Sequence, residues 1–264
     1  MWPNIALLDL GIFWFGAALG SFLNVCIHRL PAGESIVFPR SHCPQCGNGL
    51  RFWENIPLVS FFLLRGRCRA CKARIAWRYP MVELLAGILT VFVLHQFGIT
   101  TAGARAALLI FFLLPAAFID IEHGLIPNRI TFAGMVTGLL FSFVGDSAID
   151  PGPILGLLAG GGVLWGIALA GKYVFRQDSM GGGDIKLGAM IGAFLQWEEV
   201  ALCLLLSFVL AAAFSLLGMF MGKLHRRSRI PFAPFMAAAA IGVVMQLAVA
   251  NWQWQLAEAV CSWR

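Results

Sequence analysis

The chain has 264 residues, of which 59% are hydrophobic and only 12% charged, with a net charge of +6. About a quarter of the residues in a soluble globular domain are charged, so this composition excludes that class and predicts a polytopic membrane protein. The positive balance is read as membrane topology and contact with anionic lipid headgroups, not as nucleic-acid binding, because no soluble module interleaves basic and aromatic residues.

Apolar runs suited to crossing ~30 Å of hydrocarbon occur at residues 5–26, 81–97, 102–119, 130–144, 153–171, 185–196, 200–222 and 232–250. The predicted fold is therefore all-α, with about eight transmembrane helices and a small cytoplasmic domain after the first. The sixth run is short, and it is counted because Asp184 and Lys186 extend its end by snorkelling. If the loop after the first span is cytoplasmic, seventeen of the nineteen Lys and Arg residues fall on that side, among them Arg226, Arg227 and Arg229, leaving only Arg105 and Arg264 opposite. This satisfies the positive-inside rule and brings Asp120 and Asp184 to the cytoplasmic ends of their spans.

Residues 27–80 form the only sizeable soluble piece and carry four of the seven cysteines. Cys43-Pro-Gln-Cys46 and Cys68-Arg-Ala-Cys71 are two Cys-x-x-Cys pairs at a spacing that suits a tetrahedral four-thiolate site for zinc, or iron in the same geometry. Arg67, Arg69, Lys72 and Arg74 favour the thiolates, and a loop this small gains from a metal staple. Two disulfides or a redox dithiol are the competing readings, and a reducing cytoplasm disfavours disulfides. Cys26, Cys203 and Cys261 have no matching partner.

Asp120 ends its span in Asp120-Ile121-Glu122-His123-Gly124-Leu125-Ile126-Pro127-Asn128, where Asn128 is expected to cap the next helix. Asp184 sits in Met180-Gly181-Gly182-Gly183-Asp184-Ile185-Lys186, whose glycines leave room for a close backbone. An ionisable group at membrane depth is a functional candidate in its own right. Two carboxyls sharing a low-dielectric site cannot both ionise cheaply; one can deprotonate water while the other hydrogen-bonds a scissile carbonyl. Asp120 and Asp184 are thus read as an aspartyl dyad for peptide hydrolysis. Lys186 is expected to reach toward headgroups, Pro231 and Pro234 to line the mouth of the site, and Gly160-Gly161-Gly162 to serve helix packing. Asp9 and His95 have no evident partner. A proton- or cation-coupled transporter is the rival class, but the inverted repeats that would favour it are not visible.

These motifs together resemble the prepilin peptidases, or type IV leader peptidases, membrane aspartyl proteases of the GxGD type. The match rests on Asp120 ahead of Ile126-Pro127-Asn128, on Gly181-Gly182-Gly183-Asp184-Ile185-Lys186, on Gly20-Ser21-Phe22-Leu23-Asn24-Val25, on the cysteine pairs, and on Arg78-Tyr79-Pro80 leading into Glu83-Leu84-Leu85-Ala86-Gly87. The resemblance implies a multi-pass enzyme of the bacterial inner membrane with its active site facing the cytoplasm. Such an enzyme cuts the basic leader from prepilins of type IV pili and pseudopilins of type II secretion, commonly between glycine and phenylalanine. It then methylates the new amino terminus with S-adenosylmethionine. The resemblance carries the catalytic role to Asp120 and Asp184, and methyl-donor binding to Glu83 and Gly87. The implied organisation is a first transmembrane helix at 1–26, a zinc-binding domain at 27–80, and a seven-helix aspartyl peptidase domain at 81–264. A peptidase lacking the methyl-transfer step is the alternative.

Overall fold

The computed structural model describes residues 3–143, 151–176, 180–225, 228 and 230–246. The predicted ends of the last span, 247–250, and the basic residues Arg226, Arg227 and Arg229 lie outside them. Among the described residues, regular structure is helical apart from two isolated antiparallel bridges. The chain divides into two compact units, Met1–Gly98 and Ile99–Arg264.

In the first unit, α1 (Pro3–Arg29) packs along α3 (Arg78–Phe97), with a 3-10 turn (Phe52–Asn55) and the short α2 (Val59–Leu63) between them in sequence. The seam is tight because small residues face each other across it. A Cβ at Gly20 would fall 2.8 Å from Ala86 Cβ and from Glu83 Cα, and one at Gly16 would meet the Thr90 side chain. This small-xxx-small spacing lets apolar helices approach when lipid supplies no hydrophobic drive between them. Two polar contacts cross the pair. Asn24 Nδ2 donates to Tyr79 O at 3.0 Å. His95 Nε2 lies 2.7 Å from Asp9 Oδ1, so two residues that looked isolated in sequence are partners across α1 and α3.

The second unit comprises α4 (Thr101–His123), α5 (Asn128–Leu140) with a following 3-10 turn, α6 (Gly152–Phe175), α7 (Gly182–Phe194), α8 (Trp197–Phe220) and α9 (Ala233–Gln246). Thr100 caps the start of α4 by accepting from Gly103 N at 3.1 Å, and Gly124 closes its end in the left-handed region (φ 63°). At the centre lies α7, every residue of which from Leu187 to Phe194 is buried. Glycine makes that possible on two sides. Gly156 and Gly160 of α6 meet the backbone of Gly192 and Gly188, while Gly134 and Gly138 of α5 meet Met190 and Ala193. Of the Gly160-Gly161-Gly162 run, the first two residues face α7, whereas Gly162 has nothing within 4 Å. Arg105 of α4 donates through Nε to Phe194 O, the last carbonyl of α7, at 2.5 Å. A guanidinium there answers both the orphan acceptor and the negative end of the helix dipole.

Five helices are long and apolar enough to cross a membrane: Leu7–Arg29 within α1, then α3, α4, Gly152–Val174 within α6, and α8. The helices at the fourth and sixth predicted spans are too short to cross by themselves, the sixth in keeping with its short apolar run. Helices α5 and α7 have 13 residues each, or about 20 Å, against ~30 Å of hydrocarbon. Packing explains α7: it is an internal peg surrounded by protein, and its length is set by its neighbours.

Replacing Gly192 by leucine is expected to lower the melting temperature of the detergent-solubilised protein by about 5–10 °C, because the side chain would have to enter the α6 backbone. The same change at open Gly162 should shift it by about 2 °C or less.

Candidate active site and metal centre

The two motif aspartates come from opposite kinds of helix terminus. Asp120 lies in the last turn of α4, 7% exposed, where the helix dipole disfavours a negative charge. Compensation comes from the start of α9: Ala233 N–H donates to Asp120 Oδ2 at 3.0 Å, and Phe232 N–H donates as well. Unpaired amides at a helix N-terminus are natural anion ligands. The segment around Pro231 and Pro234 therefore does reach the aspartate, through backbone amides that no side-chain pattern announces.

Asp184 is the third residue of α7, half-buried, and its carboxylate accepts from the N–H of Gly181, the N-cap. This is the reaching-back half of a capping box. The three glycines have different tasks. At Gly183 a Cβ would lie 3.2 Å from Ile126 Cβ, at Gly181 it would lie 3.2 Å from Asp184 Oδ2, and at Gly182 it would meet nothing within 4 Å. Open space beside the aspartate is thus confined to Gly182.

The two motifs are also tied directly. Lys186 Nζ donates to Asn128 Oδ1 at 2.8 Å and stands over the Phe132 ring. Sequence reasoning placed this lysine toward headgroups and made Asn128 a helix cap. Instead Pro127 is the N-cap, and the Asn128 side chain is spent on the lysine. The Ile126 to Gly183 contact and the Lys186 to Asn128 bond hold the start of α7 against the segment that follows Asp120, so the two motifs lie side by side. Glu122 and His123, just beyond Asp120, are exposed.

In the first unit, the Sγ atoms of Cys43, Cys46, Cys68 and Cys71 all lie within 4.8 Å of one another, with Cys43 and Cys71 3.9 Å apart. A tetrahedral ion with Zn–S bonds of about 2.3 Å requires sulfurs about 3.8 Å apart, so the cluster fits a metal. The two cysteine turns repeat one design. Cys43 N bonds Asn48 O and Gly47 N bonds Cys43 O, while Cys68 N bonds Ala73 O and Lys72 N bonds Cys68 O. Each is closed by a bridge, His42 to Gly49 and Arg67 to Arg74, and each needs a left-handed residue after the second cysteine, Gly47 (φ 68°) or Lys72 (φ 60°). The N–H groups of Cys71 and Ala70 draw the Cys68 thiol down to about 7; against the pull of the Ala73 N–H, burial and neighbouring sulfurs push Cys71 up to about 11. Four thiols this close ionise against one another, and a divalent cation removes that penalty.

Glu54 braces the second turn. Its side chain, 2% exposed, accepts from Arg51 N at 2.7 Å and binds Arg69 Nε at 2.6 Å. Nothing in the sequence singles it out, beyond an acid placed among arginines. Glu83 is 7% exposed and accepts from Leu58 N at 2.7 Å and from the Ser21 hydroxyl. Gly87 faces Phe13 of α1, whose ring carbon Cε2 would lie 2.6 Å from an added Cβ.

Two motif aspartates at helix ends of a glycine-packed bundle are the arrangement expected of a membrane aspartyl peptidase. Residues 14–97 match the Bacterial Peptidase A24 N-terminal domain and residues 107–216 match the Type IV leader peptidase family. The chain is 36% identical over 247 residues to a prepilin leader peptidase/N-methyltransferase of Stutzerimonas stutzeri, covering 85% of this chain and 86% of that one. It is 37% identical over 253 residues to one of Aeromonas hydrophila, covering 86% and 87%. A Myxococcus xanthus relative is 42% identical over 189 residues, covering 72% of this chain and 56% of that one. The chain belongs to the type IV leader peptidase family. No solved structure matches. The transporter reading is left without support.

Glu54 yields a pH prediction. The Arg51 N–H, then Arg69, hold its carboxyl below the ordinary value of 4.5, so its stabilisation is fully present above that value and is lost as pH falls through the lower folded pKa. Wild type should melt a few degrees above Glu54→Gln at pH 7, and the gap should close as the pH falls below about 4. A constant gap would mean that the ionised carboxylate contributes nothing.

Proposed function

We propose that the protein cleaves the basic leader from type IV prepilin and pseudopilin precursors at the cytoplasmic face of the bacterial inner membrane, and then N-methylates the new amino terminus with S-adenosylmethionine. Asp120 and Asp184 carry the peptidase step. The single observation behind this reading is that the two aspartate motifs are fastened to one another, Ile126 against Gly183 and Lys186 to Asn128, while an amide of α9 holds Asp120.

The chemistry follows from two carboxyls that cannot both ionise at low cost. The ionised one takes a proton from water as its oxygen attacks the scissile carbonyl carbon. The protonated one hydrogen-bonds the carbonyl oxygen and stabilises the oxyanion. The proton gained from water then passes to the leaving amide nitrogen as the C–N bond breaks, which restores the pair. An extended substrate passes closest at Gly182, where no side chain stands in its way. S-adenosylmethionine, when bound, would supply the methyl group for the amine released on the mature chain.

Zinc is the metal assigned to Cys43, Cys46, Cys68 and Cys71, with a structural role: four thiolates leave no open coordination position for a substrate. The proposed organisation is a metal domain at 27–80 between the first transmembrane helix at 1–26 and a peptidase domain at 81–264. Glu83 and Gly87 are assigned to the methyl-transfer function, supported by the names of the relatives. A peptidase without methyl transfer is distinguished by supplying purified enzyme with a precursor peptide spanning a Gly-Phe junction together with labelled S-adenosylmethionine. Mass spectrometry should find the mature peptide carrying one methyl group; an unmethylated product leaves only the peptidase.

Asp120→Asn and Asp184→Asn should each reduce cleavage by at least about a thousandfold, with metal content unchanged. Either variant cutting at a tenth of the wild-type rate would remove the dyad. Lys186→Met, which removes the bond to Asn128 and the cation over the Phe132 ring, should cost about tenfold in the same assay.

A further inference from the structure

The first unit contains a cavity of about 520 Å³ between the C-terminal half of α1 and the segment from Ile36 to Pro57. That volume suits a small ligand or one end of a larger one. Its charge is of one sign, since Arg29, Arg40 and Arg51 line it and no carboxylate does. The three guanidiniums are not equally engaged. Arg29, 5% exposed, donates to the carbonyls of Ser35 (2.9 Å), Pro39 (2.7 Å) and Arg40 (3.4 Å) and so folds residues 35–40 over the helix. Arg51 stands over the Trp53 ring, and the Glu54 carboxylate, which does not line the cavity, acts on its charge. Arg40 is exposed, and among the described residues it forms no ion pair. It is the cation most open to an incoming anion, with Ser41 beside it in the lining.

The remainder of the cavity is apolar. Ala18, Phe22 and Val25 continue the lining along α1, and Ala18 lies about 16 Å along the helix axis from Arg29. Leu7–Arg29 is long and apolar enough to cross a membrane, so the cavity runs from the charged end of a spanning helix toward its middle. Ile36, Val37 and Phe52 line it from the opposite side, and all three are exposed, Phe52 to 87%. Phe38 and Trp53, their neighbours in sequence, are exposed as well. Large apolar side chains left open together mark a contact surface, and the end of a spanning helix is where aromatic side chains meet the headgroup layer.

We infer that this cavity binds an anionic phospholipid, with Arg40 receiving the phosphodiester, Arg51 assisting, and the first part of an acyl chain lying against Phe22 and Val25. The site is independent of the reaction proposed above. Guanidiniums meet phosphate oxygens through charge-assisted hydrogen bonds, and a cleft of one sign concentrates the opposite charge. Basic pockets at the ends of spanning helices are suited to lipid headgroups for this reason. A free phosphate presents the same chemistry to the arginines but leaves Phe22 and Val25 facing water. A bound headgroup also joins the segments around Arg40 and Arg51 to the end of α1, and so braces the cysteine-bearing part of the chain against the membrane helix.

The test uses the full-length protein in nanodiscs of mixed phosphatidylcholine and phosphatidylglycerol, with the lipid retained after transfer to detergent read by native mass spectrometry. Wild type should keep phosphatidylglycerol in preference to phosphatidylcholine. Arg40→Gln should lower that retention about tenfold, whereas Arg65→Gln, an exposed arginine outside the cavity, should change it by about twofold or less. No preference in wild type overturns the site. Equal losses in the two variants also overturn it, and leave only diffuse attraction of the basic domain to a charged surface. Phosphatidylglycerol carrying a photoreactive group near the start of its acyl chain should label the peptide that holds Phe22 and Val25. Label confined to other peptides refutes the assignment, and because this arm uses wild-type protein it decides the matter even where a variant fails to fold. Millimolar inorganic phosphate should leave the retained lipid in place. Its displacement by phosphate, but not by chloride at equal ionic strength, gives the cavity to a soluble anion instead.

Discussion

A carboxyl group held away from water needs donors, and much of this molecule is arranged around that requirement. Asp120 sits at a helix end whose dipole repels it, and it is rescued by the amides that open α9. Glu83 receives a backbone N–H and a hydroxyl, Glu54 a backbone N–H and a guanidinium, Asp9 an imidazole. Leaving such a group unpaired in a low dielectric costs several kcal/mol, more than most single contacts return. The acids therefore act as fixed points. Each specifies which distant segment must come to it, and the loops between helices are shaped to deliver those donors.

The second organising influence is the removal of side chains. Two glycines of α6 meet two of α7, and two of α5 meet the other side of α7, so the helix bearing Asp184 is buried among backbones. Close approach of this kind gives the dispersion contact that membrane helices rely on in place of hydrophobic drive. In the first unit Gly16 and Gly20 do the same for α1 against α3. Glycine at Gly182 serves a different purpose, since no neighbour fills the room it leaves.

Much of the fold and of the candidate site could be read from the sequence, for identifiable reasons. Apolar runs mark helices because few other residues survive in lipid, and all eight runs correspond to helices among the described residues. What the runs did not mark is that α7 is enclosed by protein neighbours, buried from Leu187 to Phe194. The cysteine spacing announced a four-sulfur cluster, since a Cys-x-x-Cys turn has few other ways to fold. The partners were hidden. Ala233 contributes a main-chain N–H to Asp120, which any residue but proline could do, and it lies 113 positions away. The bonds between Asp9 and His95 and between Lys186 and Asn128 each depend on helix pairing that a single sequence does not encode locally.

Helix α7 is fastened at both ends: Lys186 to Asn128 near its start, and Arg105 to its final carbonyl. A rod clamped in this manner behaves as an anvil. Fastening at both ends resists a swing of the helix, so on the proposed function the adjustment that brings a peptide bond beside Asp184 would fall on the incoming chain. On the function proposed above, a helical precursor would have to surrender local hydrogen bonds near the cut before lying along Gly182, and selection among precursors would depend as much on how readily each one unravels there as on the residues it displays.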